Sequence, residues 1–295
     1  MSVVFEPLVL PGATARQVAV AGGRFAGQRG GNEGAAATAT SVLLLHGIPL
    51  TAVMWRDLCA ERARDRVVVA PDLKGLGRSE SKAPYDLASL AAELAALVLH
   101  EVDAPVDVVG HDRGGSLAIA LAAARPELVR RLVVLGAPAR GLDCLRAWPL
   151  PLAALPLLPE VLVSLGGRRV VRAMLRHGWR AARPLDPTVR AHYEQAYADP
   201  ARLRAMLAYC RACHGLGPGN RRTSAAAARP RPRPERALVV WGARDPVVPL
   251  SVGDRVARDL GPGTAMTTVP DAGHFVLEEA PEVVVPAVAA FLRAP

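Results

Sequence analysis

The chain has 295 residues, is 51% hydrophobic, and carries 36 Lys+Arg against 27 Asp+Glu for a formal net charge of +9. That hydrophobic share excludes a disordered chain, four cysteines are too few for a disulfide-stapled miniprotein, and the length suits one large domain or two modest ones. The charge raises nucleic acid or an anionic surface as a partner, but only Lys74 and Lys82 are lysines, and arginine alongside abundant Ala, Gly and Pro is what GC-rich coding produces.

The opening MSVVFEPLVLPGA has no basic segment ahead of an apolar run, so the expected setting is cytoplasmic, with free thiols. Residues Gly22–Thr40 are Gly/Ala-rich and read as a loose loop. Short apolar runs then alternate with longer helical patterns, which predicts a mostly parallel sheet flanked by helices. The strand candidates are Val42–Leu45, Val67–Ala70, Val106–Val109, Leu132–Leu135, Leu238–Trp241 and Ala265–Val269. The helical candidates are Leu87–His100, Ser116–Ala124, Val252–Leu260 and Glu282–Leu292.

Strand logic stops near Ala139 and resumes at Ala237. The expected organisation is a core in two parts, 1–139 and 237–295, interrupted by a helical insertion with a return linker at 140–236. The linker candidate Ala225–Glu235, AAAARPRPRPE, favours extended PPII geometry. The most apolar stretch, Trp148–Leu165, is broken by four prolines and a glutamate, so no stable membrane insertion is expected. Cys210, Cys213 and His214 spell C-R-A-C-H, the spacing of covalent haem attachment. Within a helical pattern and without an export signal, they read as packing residues, and as zinc ligands they are an incomplete set. No metal or cofactor is expected.

The segment from Val106 to Ser116, VDVVGHDRGGS, reads as strand, sharp turn and helix. Gly110 and Gly114 frame Asp112 as G-x-D-x-G, a nucleophile-elbow pattern with Asp at the centre. Such a turn lifts its central side chain above the carboxyl edge of the sheet, and the following helix offers N–H groups to a developing anion.

With this elbow the chain resembles the α/β-hydrolase superfamily over nearly its whole length. His46-Gly47-Ile48-Pro49 matches the turn after the third strand, and Asp72-Leu73-Lys74-Gly75-Leu76-Gly77-Arg78-Ser79 the next turn. Trp241 to Pro246, WGARDP, matches the acid-bearing turn, and Ala272-Gly273-His274-Phe275 the histidine loop. The resemblance implies an α/β-hydrolase fold with an inserted helical cap. It also implies Asp112, Asp245 and His274 as nucleophile, acid and base, with backbone N–H groups of Ile48 and Arg113 as the oxyanion hole. His46 and Asp72 are expected to stabilise turns. The position after the sixth strand, VLGAP, offers no rival acid.

An aspartate nucleophile dictates its own chemistry. Already ionised near neutral pH, it attacks an electrophilic sp3 carbon and forms an alkyl ester, which His274-activated water then hydrolyses. Attack on an ester substrate would give a mixed anhydride, which disfavours esterase chemistry. The chain is therefore similar to epoxide hydrolases and, in G-H-D-R-G-G and His192-Tyr193, to haloacetate dehalogenases. The dehalogenases' second elbow arginine is replaced by Ser116. The expected activity is that of an epoxide hydrolase, with a haloacid or haloalkane dehalogenase, or a biosynthetic enzyme acting on a natural-product intermediate, as alternatives. Met206 to Arg211, MLAYCR, is similar to the lid helix that carries a ring-opening tyrosine. Tyr209 is thus a substrate-site candidate along with Trp148 and Trp179, with Tyr193 and Tyr197 as weaker candidates for the acid.

The charge then has an address. From Arg168 to Arg236 stand 16 arginines against four acidic residues, and the remainder is slightly acidic. The expected partner is a small molecule, bulky and apolar or anionic, rather than nucleic acid; a homodimer is compatible with the sequence.

Overall fold

The computed structural model describes residues 8–31, 40–62, 65–102, 105–138, 166–213 and 236–293. Its centre is an eight-stranded sheet. The strands are β1 (Ala13–Val20), β2 (Gly23–Gly30), β3 (Val42–Leu45), β4 (Val68–Pro71), β5 (Val106–His111), β6 (Val129–Leu135), β7 (Arg236–Gly242) and β8 (Ala265–Val269). They lie in the order β1-β2-β4-β3-β5-β6-β7-β8. The six strands from β4 to β8 in that order run parallel, while β1–β2 and β2–β4 are antiparallel. Every residue of β3, β4 and β5 is buried, as unbroken apolar runs require when a parallel sheet is covered on both faces.

The hairpin β1–β2 corrects the expectation of a loose loop from Gly22. The strands turn through Ala21-Gly22, with Gly22 at φ +107°, a conformation glycine adopts without a Cβ penalty. The glycines inside β2 are there because backbones crowd it. A Cβ on Gly27 would stand 2.7 Å from Pro71 Cα, and one on Gly30 would stand 2.8 Å from Ala13 Cα. A strand built on small residues has no hydrophobic alternation to read.

Helices flank the sheet as α1 (Arg56–Arg62), α2 (Leu87–Glu101), α3 (Arg113–Ala124), α7 (Leu250–Leu260), the single turn α8 (Val276–Glu279) and α9 (Pro281–Arg293). α2 packs on α3, and α1 on α9. Asp86 caps α2 by accepting from Ala88 N and Ser89 N at 3.1 and 3.0 Å.

Between β6 and β7 the chain forms α4 (Gly167–Gly178), α5 (Pro187–Ala196) and α6 (Pro200–Cys213). α4 buries Val170, Val171 and Leu175 and exposes Arg168, Arg169, Arg172 and Arg176. Its apolar residues therefore recur on one helical face. The three helices are tied to loops at the carboxyl ends of the strands. Tyr209 O–H donates to Lys74 O at 3.0 Å, His192 Nε2 lies 3.1 Å from Thr51 Oγ1, and Tyr193 O–H donates to Glu278. Arg56 pairs with the same Glu278 carboxylate through two bonds of 2.7 Å. β7 starts at Arg236, immediately after the linker candidate Ala225–Glu235 and at the last residue of the insertion expected at 140–236. No helix among the described residues is long and apolar enough to cross a membrane. Trp148 and the linker candidate Ala225–Glu235 lie outside the described residues, as does His214 of the C-R-A-C-H run.

Candidate active site

The turn between β5 and α3 holds Asp112 at φ 47°, ψ −117°, the one positive φ outside glycine among the described residues. This is a conformation that a side-chain-bearing residue keeps only when its surroundings over-determine it. The surroundings do. Asp112 N donates to Leu135 O at 2.9 Å and Ser116 N donates to Asp112 O at 3.0 Å. Neighbouring backbone fills the space that side chains would need. A Cβ on Gly110 would meet Gly114 O at 2.5 Å, and one on Gly114 would run into the carbonyls of Leu45 and His46. α3 therefore begins at Arg113, three residues before the helical pattern becomes visible in the sequence.

The raised carboxylate is divided between two environments. Its Oδ2 accepts from Ile48 N at 3.0 Å, and its Oδ1 lies 3.8 Å from His274 Nε2. Arg113 N–H stands at the first position of α3, next to the same carboxylate in the chain. His274 Nδ1 meets Asp245 Oδ2 at 2.9 Å, and Asp245 Oδ1 accepts from Val247 N and Val248 N at 2.7 and 2.8 Å. The sequence candidates Asp112, Ile48, Asp245 and His274 thus meet in one place. Burial disfavours charge on His274, but Asp245, Asp112 and Glu279 outweigh it and hold the imidazole at about 9. The neighbouring carboxylates therefore favour the protonated imidazole.

The supporting shell fixes the loops. His46 Nε2 accepts from Leu73 N at 2.8 Å, while Asp72 accepts from Ala52 N and Arg78 N at 3.0 and 3.1 Å, so both residues stabilise turns. His111 Nε2 donates to His274 O at 2.9 Å. Burial first, then the charge of His274, pushes the His111 imidazole down to about 4, so it stays neutral beside the histidine it braces.

The tyrosines of the inserted helices are sorted by what their hydroxyls meet. Tyr209 is engaged by Lys74 O, and its ring packs at a tilt against Tyr85 at 5.2 Å and lies under the Arg113 guanidinium at 5.4 Å. Arg113 also donates to Tyr85 O at 3.4 Å, so its side chain fastens α6 to the elbow. Tyr193 is engaged by Glu278. Tyr197 is fully buried, and its hydroxyl has no hydrogen-bond partner among the described residues. Burial, reinforced by the nearby Asp72 and Asp112 carboxylates, raises the Tyr197 phenol well above its ordinary value. The hydroxyl is therefore a neutral donor left without a partner among the described residues. Trp179 is partly buried, and its indole N–H donates to Ala181 O and Arg183 O at 3.1 and 2.9 Å, closing a local turn. The acid motif of the sequence pointed to Tyr209 because helical register is local; which hydroxyl stays unengaged depends on a carbonyl 135 residues away.

Comparison with known proteins agrees with the fold. A family model described as "Alpha/beta hydrolase family" matches residues 42–287. A soluble epoxide hydrolase from Corynebacterium sp. (strain C12) is 36% identical over 113 residues, which are 38% of this chain and 40% of that protein. Lipase LipV from Mycobacterium tuberculosis is 44% identical over 102 residues, 35% of this chain and 38% of that protein. The matches therefore span about two-fifths of each of these relatives. Among solved structures, Cfl2 from Burkholderia cenocepacia superposes with a TM-score of 0.81 at 26% identity, covering 96% of both chains. With its doubly flanked sheet, its strained elbow and a family match over most of its length, this chain belongs to the α/β hydrolase family.

Proposed function

We propose that this protein is an epoxide-hydrolase-like enzyme that works through an alkyl ester on Asp112. The observation that carries the reading is the division of the Asp112 carboxylate: Oδ2 rests on Ile48 N while Oδ1 is left facing His274. A carboxylate presented this way attacks carbon with Oδ1 and keeps Oδ2 where the carbonyl oxygen, and later the oxyanion, is stabilised by N–H donors, Ile48 and then Arg113. A serine-type acyl transfer, as the lipase relative would suggest, has no hydroxyl at this position to run on.

Ring opening forms the Asp112 Oδ1–carbon bond, breaks a carbon–oxygen bond and leaves an alkoxide. Tyr197, a neutral and unengaged hydroxyl at the C-terminal end of α5, supplies the proton. The inserted helices act as a cap over the site. Esterification removes the negative charge of Asp112, one of the groups that hold His274 protonated. The imidazolium then gives up its proton to the phenolate, through water, and becomes a base. In the second step water attacks Asp112 Cγ, its proton passes to His274 Nε2, and collapse of the tetrahedral intermediate frees the diol. The diol oxygen takes the remaining carboxyl proton. The haloacid alternative is less well served, because the Arg113 guanidinium is turned onto Tyr85 and Tyr209 rather than left for a substrate carboxylate.

A single turnover in heavy-oxygen water tests the chemistry. The first product should carry enzyme oxygen, and the label should appear in the peptide containing Asp112. Turnover without label in Asp112 would exclude the ester. Asp112→Asn should abolish turnover, and His274→Gln should accumulate the alkyl-enzyme, detectable as an intact mass increase equal to the substrate.

A further inference from the structure

The loop that carries His274 is held by one carboxylate that neither the candidate triad nor the motif around it includes. Glu279, buried to 3% exposure, accepts four backbone N–H groups. Two flank the histidine: Gly273 N at 2.9 Å on Oε2 and Phe275 N at 3.0 Å on Oε1. The other two belong to the inserted segment just after α4: Arg180 N at 2.7 Å and Ala181 N at 2.8 Å, both on Oε2. The same two segments touch again where His274 N donates to Gly178 O at 2.9 Å. Gly273 has no room for a side chain, because a Cβ there would strike Gly178 O and approach Glu279 Oε1 to 3.1 Å. The backbone on both sides of His274 is thus clamped to the inserted helices through a single ionisable group.

We infer that Glu279 is a positioning residue for the hydrolytic half of the reaction, locking the His274 loop to the inserted segment so that Nε2 stays aimed at Asp112. The inference rests on the two-step ester reading above. Attack by Asp112 on carbon needs no base, whereas attack of water on Asp112 Cγ needs His274 held at a working distance; displacement of a catalytic group by about 1 Å costs about 100-fold. The charge of Glu279 also helps to hold His274 protonated in the resting enzyme, so the same residue influences both the place and the protonation of the base. Its neighbour Glu278 serves a different contact, joining Arg56 to Tyr193 without touching residues 273–275.

Rapid-quench single turnovers of an epoxide, read by intact-protein mass, separate the two steps. Glu279→Gln should alkylate within about threefold of the wild-type rate and lose the ester about 100-fold more slowly, so that the alkyl-enzyme accumulates. Glu279→Asp keeps the charge but shortens the reach, and should lie between the two; it replaces Glu279→Gln if that variant does not fold, judged by near-UV circular dichroism. Glu278→Gln should leave the ratio of the two rates where it was. Equal slowing of both steps in the Glu279 variants, or no change in either, overturns the inference. Ester accumulation in His274→Gln but not in the Glu279 variants overturns it alone; no ester in His274→Gln overturns the two-step reading and the inference together.

Discussion

Tyr197 and His274 carry the clearest consequences of single side chains meeting their surroundings. A buried hydroxyl with no partner costs about 1–3 kcal/mol, a burden that a fold retains when the group has work to do. Tyr197→Phe removes the burden and the proposed proton donor together. Thermal unfolding of this variant should occur at or above the wild-type temperature, while kcat/KM for an epoxide falls about 100-fold or more. Loss of stability with unchanged activity would show that the hydroxyl is structural and donates no proton to the substrate. For His274 the sign follows from its environment. Its folded pKa of about 9 lies above the ordinary 6.5. The stabilisation it contributes is therefore complete below pH 6.5 and is lost as pH rises through 9, on the order of 3 kcal/mol across that window. Denaturant titrations of the wild type and His274→Gln should converge over this range. A gap that is constant with pH would show that His274 is not held as an imidazolium.

The decisive element is the strand–turn–helix from β5 to α3. Its glycines were legible as a frame, and the strain at Asp112 explains why the frame is needed. Gly114→Ala drives a methyl group into the carbonyls of Leu45 and His46 and should destabilise the protein by about 1–3 kcal/mol, with loss of turnover. Asp86→Ala, which removes the cap of α2 and leaves the elbow's own backbone contacts in place, should cost about 1 kcal/mol and leave kcat unchanged. Together the two variants distinguish damage to the elbow from damage to the fold, by paired urea titrations and initial rates. The elements that escaped the sequence are those whose residue choice is set by a neighbour. β2 is glycine-rich because Pro71 and Ala13 lie against it. The start of α3 hides in Arg-Gly-Gly, residues that resemble a loop until the strand beside them is known.

For the whole molecule, the charge belongs to the insertion. Residues 166–213 carry ten arginines against Asp186, Glu194 and Asp199, and Arg168, Arg169, Arg172 and Arg176 line the exposed face of α4. Glu194 neutralises part of this through Arg172, at 2.8 and 2.6 Å. A field of this sign over a site draws in anions at low ionic strength and is screened within about 8 Å at physiological salt. For an anionic epoxide, kcat/KM should fall as salt rises from 10 to about 500 mM, while a neutral epoxide of similar size should show no such dependence. Equal salt responses would leave the arginines without a role in substrate capture.

Local motifs alone specify the fold and the three candidate residues that meet at the sheet's edge. Elbow, acid turn and histidine loop are each contained in a few consecutive residues, and their order along the chain fixes where the sheet delivers them. Which tyrosine is left with an unengaged hydroxyl, and which carboxylate holds the His274 loop, is set by contacts between segments distant in the chain. Tyr209 is engaged by Lys74 O, Tyr193 by Glu278, and the His274 loop is clamped to Arg180 and Ala181 by Glu279. These are questions of hydrogen-bond satisfaction between segments distant in the chain, and such satisfaction leaves no local pattern to read.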